Sequence, residues 1–315
     1  MAEETGIQWT DSTFNPWSGC AKISAGCAHC YAANLPPAMR RHAIWGPDGT
    51  RIRASADYLA QPVRWNAKAE RTGIRRRVFC ASVADVFEDR SDLDPWREEL
   101  WTLIQRTPAL DWQLVTKRPE VAVRWSESHP WPANAWIGAS VEDQRAADER
   151  IPHLLRVQAA VRFLSCEPLL GPVDLRGYVE PTLTERAAGR LRRGRYPLSG
   201  IAEHQRLDWV IAGGESGPKA RPMHPSWARS LRDQCVAAGV PFFFKQWGEW
   251  APGANFPEYI PASTSTLDIM EAEVPEDRRM WRVGKLAAGR LLDGREWSEF
   301  PVSPIPTPPG LFARG

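Results

Sequence analysis

Short apolar runs alternate with amphipathic stretches through the middle of the chain. The runs are rich in β-branched and aromatic residues and end in polar residues, a pattern typical of buried parallel strands joined by crossover helices. They occupy residues 78–87, 112–120, 135–143, 161–170, 208–217 and 240–250. The pattern therefore predicts an α/β fold that forms a partial or complete (βα) barrel of the TIM kind.

Two of the intervening segments carry clear helix signals. Asp94 followed by Pro95 suits an N-cap and a first turn, and an apolar face follows at helical spacing. A second helix is predicted from about Pro225, with Gly239 as its stop signal.

Composition changes at two places along the chain. We expect residues 1–250 to form the barrel, with a basic surface insertion at 176–206. Residues 251–315 are rich in proline and small residues, and are predicted to form a C-terminal extension. Within this extension a hairpin is expected to turn at Asp293 and Gly294, ahead of a proline-rich tail.

Charge and targeting signals narrow the class of protein. The formal net charge is only +2, so any basic binding surface has to be local, for example at 75–77 or 190–195. The first residues carry neither a basic nor an apolar targeting segment, and no stretch approaches the length of a membrane span. We expect a cytoplasmic protein without membrane association.

Three of the six cysteines lie close together near the N-terminus. Six residues separate Cys20 from Cys27, and two separate Cys27 from Cys30. Such clustering in a reducing compartment favours metal ligation over disulfide formation. Three thiolates leave one position of a [4Fe-4S] cluster open for a cofactor or substrate, whereas structural zinc needs a fourth protein ligand such as His42. An iron-sulfur cluster, a zinc ion and unliganded thiols all remain open.

The cysteine triplet followed by strand-helix units resembles the radical S-adenosylmethionine enzymes. Their usual signature is CxxxCxxC with an aromatic residue before the last cysteine, whereas this chain has a first gap of six residues and His29 in the aromatic position. The resemblance implies a barrel, a [4Fe-4S] cluster, bound S-adenosylmethionine and an electron donor.

A second resemblance covers nearly the whole chain. The segments CAKISAGCAHCYA, LVTKRPE, SCEPLLGP, AGGESG, FFFKQWGEW and GKLAAGRLLDG are similar to an uncharacterised bacteriophage and prophage family, named for gene products thirty-seven and sixty-eight of two phages. This family is commonly regarded as radical-enzyme-like because of its three cysteines.

Polar residues follow each predicted strand. In barrels of parallel strands the chemistry sits at the carboxyl ends, so these side chains are candidates for a polar cavity beside the cysteines. In chain order they are Ser82, Asp85, Thr116, Lys117, Arg118, Ser140, Glu142, Cys166, Glu167, Glu215, Ser216, Lys245 and Gln246.

The resemblance assigns cofactor contacts to some of them. A GGE segment binds the methionine amine in radical S-adenosylmethionine enzymes, and Gly213, Gly214 and Glu215 match it here. Ser140 and Glu142 likewise resemble the ribose-contacting residues of those enzymes. The alternative for this segment is a tight turn after a strand, with Glu215 exposed.

Substrate-facing roles are predicted for four further residues. Cys166 could donate a hydrogen atom or act as a nucleophile beside Glu167, with a buried core thiol as the alternative. Lys117 and Lys245, with Arg118, could bind phosphate or carboxylate, or form structural ion pairs instead.

Tryptophan is unusually frequent, with 16 residues, and most are expected in the core. Trp17, Trp247 and Trp250 near loop ends are candidates for stacking on bases.

Three functional hypotheses follow. The first is a radical S-adenosylmethionine-like enzyme that modifies or repairs a nucleic acid or nucleotide. The second is a zinc-stabilised nucleic-acid-binding protein without catalysis. The third is a subunit that works with a separate partner protein and whose own cluster is structural or redox-sensing.

Overall fold

The computed structural model describes residues 3–179, 206–253, 264–268 and 279–303. Most of the predicted basic insertion, part of the C-terminal extension and nearly all of the proline-rich tail therefore lie outside the described residues. The chain forms two compact units. The first contains Met1–Ala139, Arg156–Arg162 and Val302–Gly315, and the second contains Ser140–Leu155 and Phe163–Pro301.

Parallel strands form the centre of the first unit. Its strands are β1 (Ser12–Thr13), β2 (Trp17–Ser18), β3 (Ile52–Arg53), β4 (Arg76–Cys80), β5 (Leu110–Thr116) and β6 (Ala135–Ser140, whose last residue belongs to the second unit). The order β1-β4-β5-β6 is parallel, with Ser12 opposite Val78 and Val78 opposite Trp112. Strands β2 and β3 form a separate antiparallel pair.

Helices follow the strands of this unit. They are α1 (Tyr31–Asn34), α2 (Ala56–Leu59), α3 (Gln61–Thr72), α4 (Asp94–Gln105) and α5 (Pro119–Ser128). The three long helices each have proline in the first turn, where the missing N–H costs no hydrogen bond. The helix predicted at Asp94 is confirmed, but Leu93 holds the N-cap position and the Asp94 carboxylate binds Arg97 instead.

The core of the first unit is aromatic. Phe14 is fully buried, stacks on Tyr58 at 5.3 Å and meets the edge of Trp112 at 5.5 Å between ring centroids. The Trp112 indole N–H donates to Thr107 Oγ1 at 3.0 Å, so its one polar atom is satisfied inside the core.

The second unit contains a parallel sheet and small antiparallel elements. Its strands are β7 (Arg162–Cys166, whose first residue belongs to the first unit), β8 (Trp209–Gly213), β9 (Phe242–Gln246), β10 (Trp250–Pro252), β11 (Thr266–Asp268), β12 (Arg279–Arg282), β13 (Leu291–Leu292) and β14 (Arg295–Glu296). Strands β7-β8-β9 are parallel, and β10-β12-β11 are antiparallel. Strands β13 and β14 form a hairpin with a two-residue turn at Asp293 and Gly294. Both turn residues have positive φ, and the sequence predicts the turn at this place.

The helices of this unit are α6 (Gln144–Leu154), α7 (Pro225–Ala238) and α8 (Lys285–Ala288). Helix α6 begins after Asp143, whose side chain accepts a hydrogen bond from the Ala146 N–H at 2.8 Å. Helix α7 is the one predicted from Pro225, and it ends at Gly239 in the left-handed conformation.

The α/β class is confirmed. Each of the six predicted apolar runs overlaps one parallel strand, from β4 to β9, although β4 and β5 begin two residues before their runs. The sequence did not reveal β1, because its two residues give no apolar run. Closure into a TIM barrel and a domain boundary at residue 250 stay predictions. None of the helices in the described ranges is both long and apolar enough to cross a membrane.

Candidate functional site

The cysteine loop, defined here as residues 19–31, lies beside the segment that follows β4. Gly19 continues from the β2 strand and forms a parallel bridge with Ala84. Three hydrogen bonds then fasten the loop: Gly19 N–H to the Val83 carbonyl at 3.0 Å, Ala21 N–H to Glu88 Oε1 at 3.0 Å, and Tyr31 O–H to the Ser82 carbonyl at 2.7 Å. The cysteines are thus placed at the carboxyl end of a parallel strand.

Asp85 organises the polar groups at this strand end. Its buried carboxylate accepts hydrogen bonds from Thr116 Oγ1 at 2.6 Å, Phe87 N–H at 3.0 Å, Lys117 N–H at 3.1 Å and Arg118 Nη1 at 2.9 Å. Four donors occupy the lone pairs of both oxygens. Asp85 therefore joins the ends of β4 and β5, and it has no capacity left for a cofactor.

Arg118 connects this strand end to the cysteines. The guanidinium is buried, donates from Nη2 to the Ala21 carbonyl at 2.9 Å, and places Nη1 at 4.0 Å from Cys20 Sγ. Burial opposes its charge, but Asp85 and Cys20 raise the pKa of Arg118. The positively charged guanidinium of Arg118 therefore lies next to the Cys20 thiol.

A second buried ion pair supports the loop from the other side. Arg51 donates to both oxygens of Glu88, at 2.6 and 2.5 Å, and both side chains are almost fully buried. Arg51 also donates to the carbonyls of Gly46 and Gly49. The sequence does not reveal this pair, because Arg51 lies in a loop 37 residues before Glu88, which follows β4.

Cys20 is a neutral thiol in this setting. Burial and the carboxylates of Asp85 and Glu88 together raise the pKa of Cys20 to about 12, although the positive charge of Arg118 opposes them. A metal would have to displace the thiol proton on binding.

The other two cysteines lie in the turn before α1. Cys27 is buried, with Sγ at 3.8 Å from Ser24 Oγ, and the Cys30 N–H donates to the Cys27 carbonyl at 3.3 Å. Cys30 is half-buried, and all six cysteines are free thiols.

These residues fit an iron-sulfur cluster by the chemistry of the donor set, which is three unpaired thiols on one loop. Within the described parts of the chain, however, no three His, Cys, Asp or Glu side chains form a group that could hold a metal ion. His42, the residue considered as a fourth zinc ligand, is exposed. The structure therefore places the three cysteines on one anchored loop without bringing their side chains together as a metal site.

Ser82 and Lys117 lie at the same strand ends. Ser82 Oγ exchanges hydrogen bonds with the Asn15 amide, at 3.0 and 3.3 Å. The Lys117 backbone N–H is held by Asp85. Both predicted residues are thus close to the cysteine loop in the chain's first unit.

The strand ends of the second unit are tied by arginines. Glu142 is buried and accepts from Arg150 Nη1 at 2.7 Å, and the same nitrogen donates to the Ser140 carbonyl at 2.7 Å. This pair locks the end of β6 to helix α6. The hydrogen bond from Arg150 occupies Oε2 of Glu142.

Glu215 is also buried and paired, so it is not the exposed glutamate of the tight-turn alternative. Its carboxylate is buried and accepts from Arg221 Nη2 at 2.6 Å, Arg221 Nε at 2.8 Å and Arg221 N–H at 2.8 Å. It is neither an exposed turn residue nor an open receptor for an ammonium group. The hydrogen bond to Glu215 raises the pKa of Arg221.

The glycine pair before it has a packing explanation. A Cβ on Gly214 would overlap the Trp247 carbonyl, and a Cβ on Gly213 would meet Glu167 Oε1 at 2.5 Å. Glycine is therefore needed for the close approach of the β8 end to the β9 end. No ligand is required to account for it.

Glu167 and Lys245 form an ion pair at the ends of β7 and β9. Lys245 Nζ lies 3.1 Å from Glu167 Oε2, whereas Glu167 Oε1 is buried and has no hydrogen-bond partner among the described residues.

Cys166 has the surroundings of a core residue. It is fully buried, and burial raises its pKa well above the ordinary value. A neutral, inaccessible thiol is a poor nucleophile. These surroundings favour the alternative interpretation, a structural cysteine.

The basic patch expected at 75–77 is neutralised. Each arginine of this run has a carboxylate partner: Arg75 with Asp111 at 2.7 Å, Arg76 with Glu3 at 3.0 Å, and Arg77 with Asp11 at 2.9 Å. The run at 190–195 lies outside the described residues. The patch at 75–77 therefore gives no support to a nucleic-acid surface.

Two of the three stacking tryptophans are core residues. Trp17 and Trp247 are 0% and 1% exposed, so neither ring can receive a base, and the prediction is wrong for both. Trp250 is half-buried and its indole N–H donates to the Ala220 carbonyl at 2.8 Å.

The parallel strands and the helices between them define an α/β protein, and buried ion pairs anchor its cysteine loop at two strand ends. The chain matches the model of the protein family of unknown function DUF5131 over residues 4–301, and it belongs to that family. No curated protein and no solved structure matches it.

Removing the Asp85 carboxylate should destabilise the first unit. In Asp85→Ala the Arg118 charge stays buried without its partner, so we expect the free energy of unfolding to fall by about 3 kcal/mol or more. Urea denaturation followed by circular dichroism measures the change. The control is Asp89→Ala, which removes an exposed ion pair with Arg124 and should cost less than about 1 kcal/mol. Equal losses in the two variants would contradict the role assigned to Asp85.

Adding a methyl group at Gly214 should also cost stability. In Gly214→Ala the Cβ meets a backbone carbonyl that cannot turn away, and we expect a loss of about 1–3 kcal/mol without any ligand present. Gly177→Ala is the matched control, because its Cβ has open space and its φ is not positive. A Gly214→Ala variant as stable as wild type would show that the glycine is kept for another reason than packing.

Proposed function

We propose that this chain is an iron-sulfur enzyme of the radical S-adenosylmethionine kind that modifies or repairs a nucleic acid or nucleotide. The observation that carries the proposal is the place of the cysteine loop. Buried ion pairs hold it at the carboxyl ends of parallel strands β4 and β5, where α/β enzymes assemble their chemistry.

Cys20, Cys27 and Cys30 would hold the cluster. When bound, a reduced [4Fe-4S] cluster supplies an electron for cleavage of S-adenosylmethionine, and an external electron donor has to restore it. Arg118 keeps a positive charge beside Cys20, which partly offsets the effect of burial on its pKa and would stabilise a thiolate bound to the cluster. Asp85 and Glu88 keep Arg118 and the Ala21 backbone in place.

The strands would be arranged as a partial barrel. Supporting this, strands that neighbour each other within each unit are parallel, and helices lie between β4 and β5, between β5 and β6, and between β8 and β9, as in barrel folds. Because Glu142 and Glu215 are already bound by arginines, the proposal assigns no S-adenosylmethionine contact to either carboxylate.

One observation favours a second candidate, a zinc-stabilised nucleic-acid-binding protein without catalysis. The strand-end carboxylates Asp85, Glu142 and Glu215 are all satisfied by arginines inside the protein. Carboxylates that are already paired inside the protein suit a structural role better than a catalytic one.

Metal analysis and spectroscopy separate the two candidates. We expect protein purified without oxygen and incubated with iron and sulfide to bind a [4Fe-4S] cluster, seen in its visible spectrum. Added S-adenosylmethionine should change the electron paramagnetic resonance spectrum of the reduced protein. Stoichiometric zinc without iron would overturn the proposal, and a cluster whose spectrum ignores the added cofactor would remove the radical mechanism.

A cysteine variant tests the ligand assignment. Cys27→Ala should lose the cluster absorbance while its circular dichroism stays that of the wild type, because the loop is anchored by the two ion pairs rather than by the thiol. Cys235→Ala is the matched control, since this cysteine is also buried but lies on α7. Loss of the cluster in both variants would point to general destabilisation.

A further inference from the structure

A cavity of about 200 Å³ lies between helix α4 and the segment that follows β1. Phe14 and Pro16 line it from that segment, and both are buried. Leu100 lines it from α4 and is only 2% exposed. The half-buried side chains of Leu59, on α2, and Trp96, on α4, also line it. These side chains give the cavity an apolar wall.

Aromatic neighbours hold the two rings of this wall in place. Phe14 stacks on Tyr58 at 5.3 Å and meets the edge of Trp112 at 5.5 Å between ring centroids. Trp96 packs in turn against Trp17, with the centroids 5.9 Å apart. Rings held by close packing are not free to turn into the empty space and fill it, so the cavity is preformed.

Three charged side chains line the same cavity, namely Arg53, Glu99 and Arg106. Arg53 donates from Nε and Nη2 to Glu99 Oε2, at 3.2 and 2.5 Å, so these two charges neutralise each other. Arg106 is exposed, and among the described residues its guanidinium has neither an ion pair nor a side-chain hydrogen bond. The cavity therefore carries one positive charge that no described residue neutralises.

An anion with one aromatic ring matches both the wall and the charge. An apolar cavity of about 150 Å³ accepts benzene, so this one has room for a ring with a short side chain. The ring would pack on Phe14 and Trp96 in the offset or edge-on arrangements that aromatic pairs prefer. A carboxylate on the side chain would accept two parallel hydrogen bonds from the Arg106 guanidinium. A neutral ring leaves the arginine unpaired, and a small inorganic anion leaves the apolar wall uncovered.

We propose that this cavity binds a small aromatic carboxylate, with its ring against Phe14 and Trp96 and its carboxylate on Arg106. All three residues belong to the first unit, and none of the described residues that line the cavity is a cysteine. The proposal therefore rests neither on a metal at the cysteine loop nor on the function proposed above.

Fluorine NMR of the full chain without added metal tests the proposal. The probe is 4-fluorophenylacetate, whose fluorine signal broadens on binding, and we expect a dissociation constant of about 0.1–1 mM. The neutral 4-fluorophenylacetamide should bind about 10-fold more weakly, because it loses the ionic hydrogen bonds. Acetate, which has no ring, should not displace the probe. Wild-type protein without saturable binding of the probe overturns the proposal, and so does displacement by an equal concentration of acetate.

Arginine variants separate this site from general attraction of anions. Arg106→Gln removes the unpaired charge, and we expect the probe to bind about 10-fold more weakly. Arg71→Gln is the matched control, because Arg71 is also exposed in the same unit but does not line the cavity, and it should bind like the wild type. Both changes are on the surface, so both variants are expected to fold, which circular dichroism checks. Equal weakening in the two variants would overturn the site.

A filled cavity tests the position of the ring. Leu103 of α4 is half-buried and also lines the cavity. Leu103→Trp places a larger side chain in the empty space, so we expect binding of the probe to be lost while a thermal melt shows a folded protein. Val63→Trp is the control, because Val63 is exposed on α3 outside the cavity, and it should leave binding unchanged. A folded Leu103→Trp variant that binds the probe like the wild type would contradict this position.

Discussion

The buried ion pair between Asp85 and Arg118 is the interaction on which the candidate site depends. A buried charge is tolerated only when it is paired and hydrogen-bonded, and here each partner satisfies the other. Asp85 accepts hydrogen bonds from residues that follow β4 and β5. Arg118 in turn donates to the Ala21 carbonyl and lies 4.0 Å from Cys20 Sγ, so it links Asp85 to the cysteine loop. The cysteine loop has little regular structure of its own, so its position is set by this charge pair and by Glu88 with Arg51.

Carboxylate–arginine pairs also hold the strand ends of the second unit. Glu142 with Arg150 and Glu215 with Arg221 each join a strand end to the segment that follows it. Glu167 is the exception, because its lysine partner takes up only one of its two oxygens. The satisfied pairs fix the strand ends of this unit, whereas Glu167 keeps one buried oxygen without a hydrogen-bond partner among the described residues.

The parallel strands could be predicted from the sequence because their burial on both faces leaves unbroken apolar runs, as in the segment that became β5. The hairpin at Asp293 and Gly294 was equally readable, since few residues accept positive φ. The partners of the charged strand ends could not be predicted, because Arg51 lies 37 residues before Glu88 and pairing across such a distance leaves no local signal. The partner of the carboxylate in the GGE segment, Arg221, could not be predicted either.

The residues after β14 protect the sheet of the second unit. Strand β9 is the last strand of its sheet, and residues 297–299 run beside it, with hydrogen bonds from the Phe244 N–H to the Trp297 carbonyl and from the Glu299 N–H to the Phe242 carbonyl. An uncovered strand edge offers a template on which other chains can aggregate. A chain cut after β9 would expose that edge, so the C-terminal segment works as a built-in solubility device for the parallel sheet.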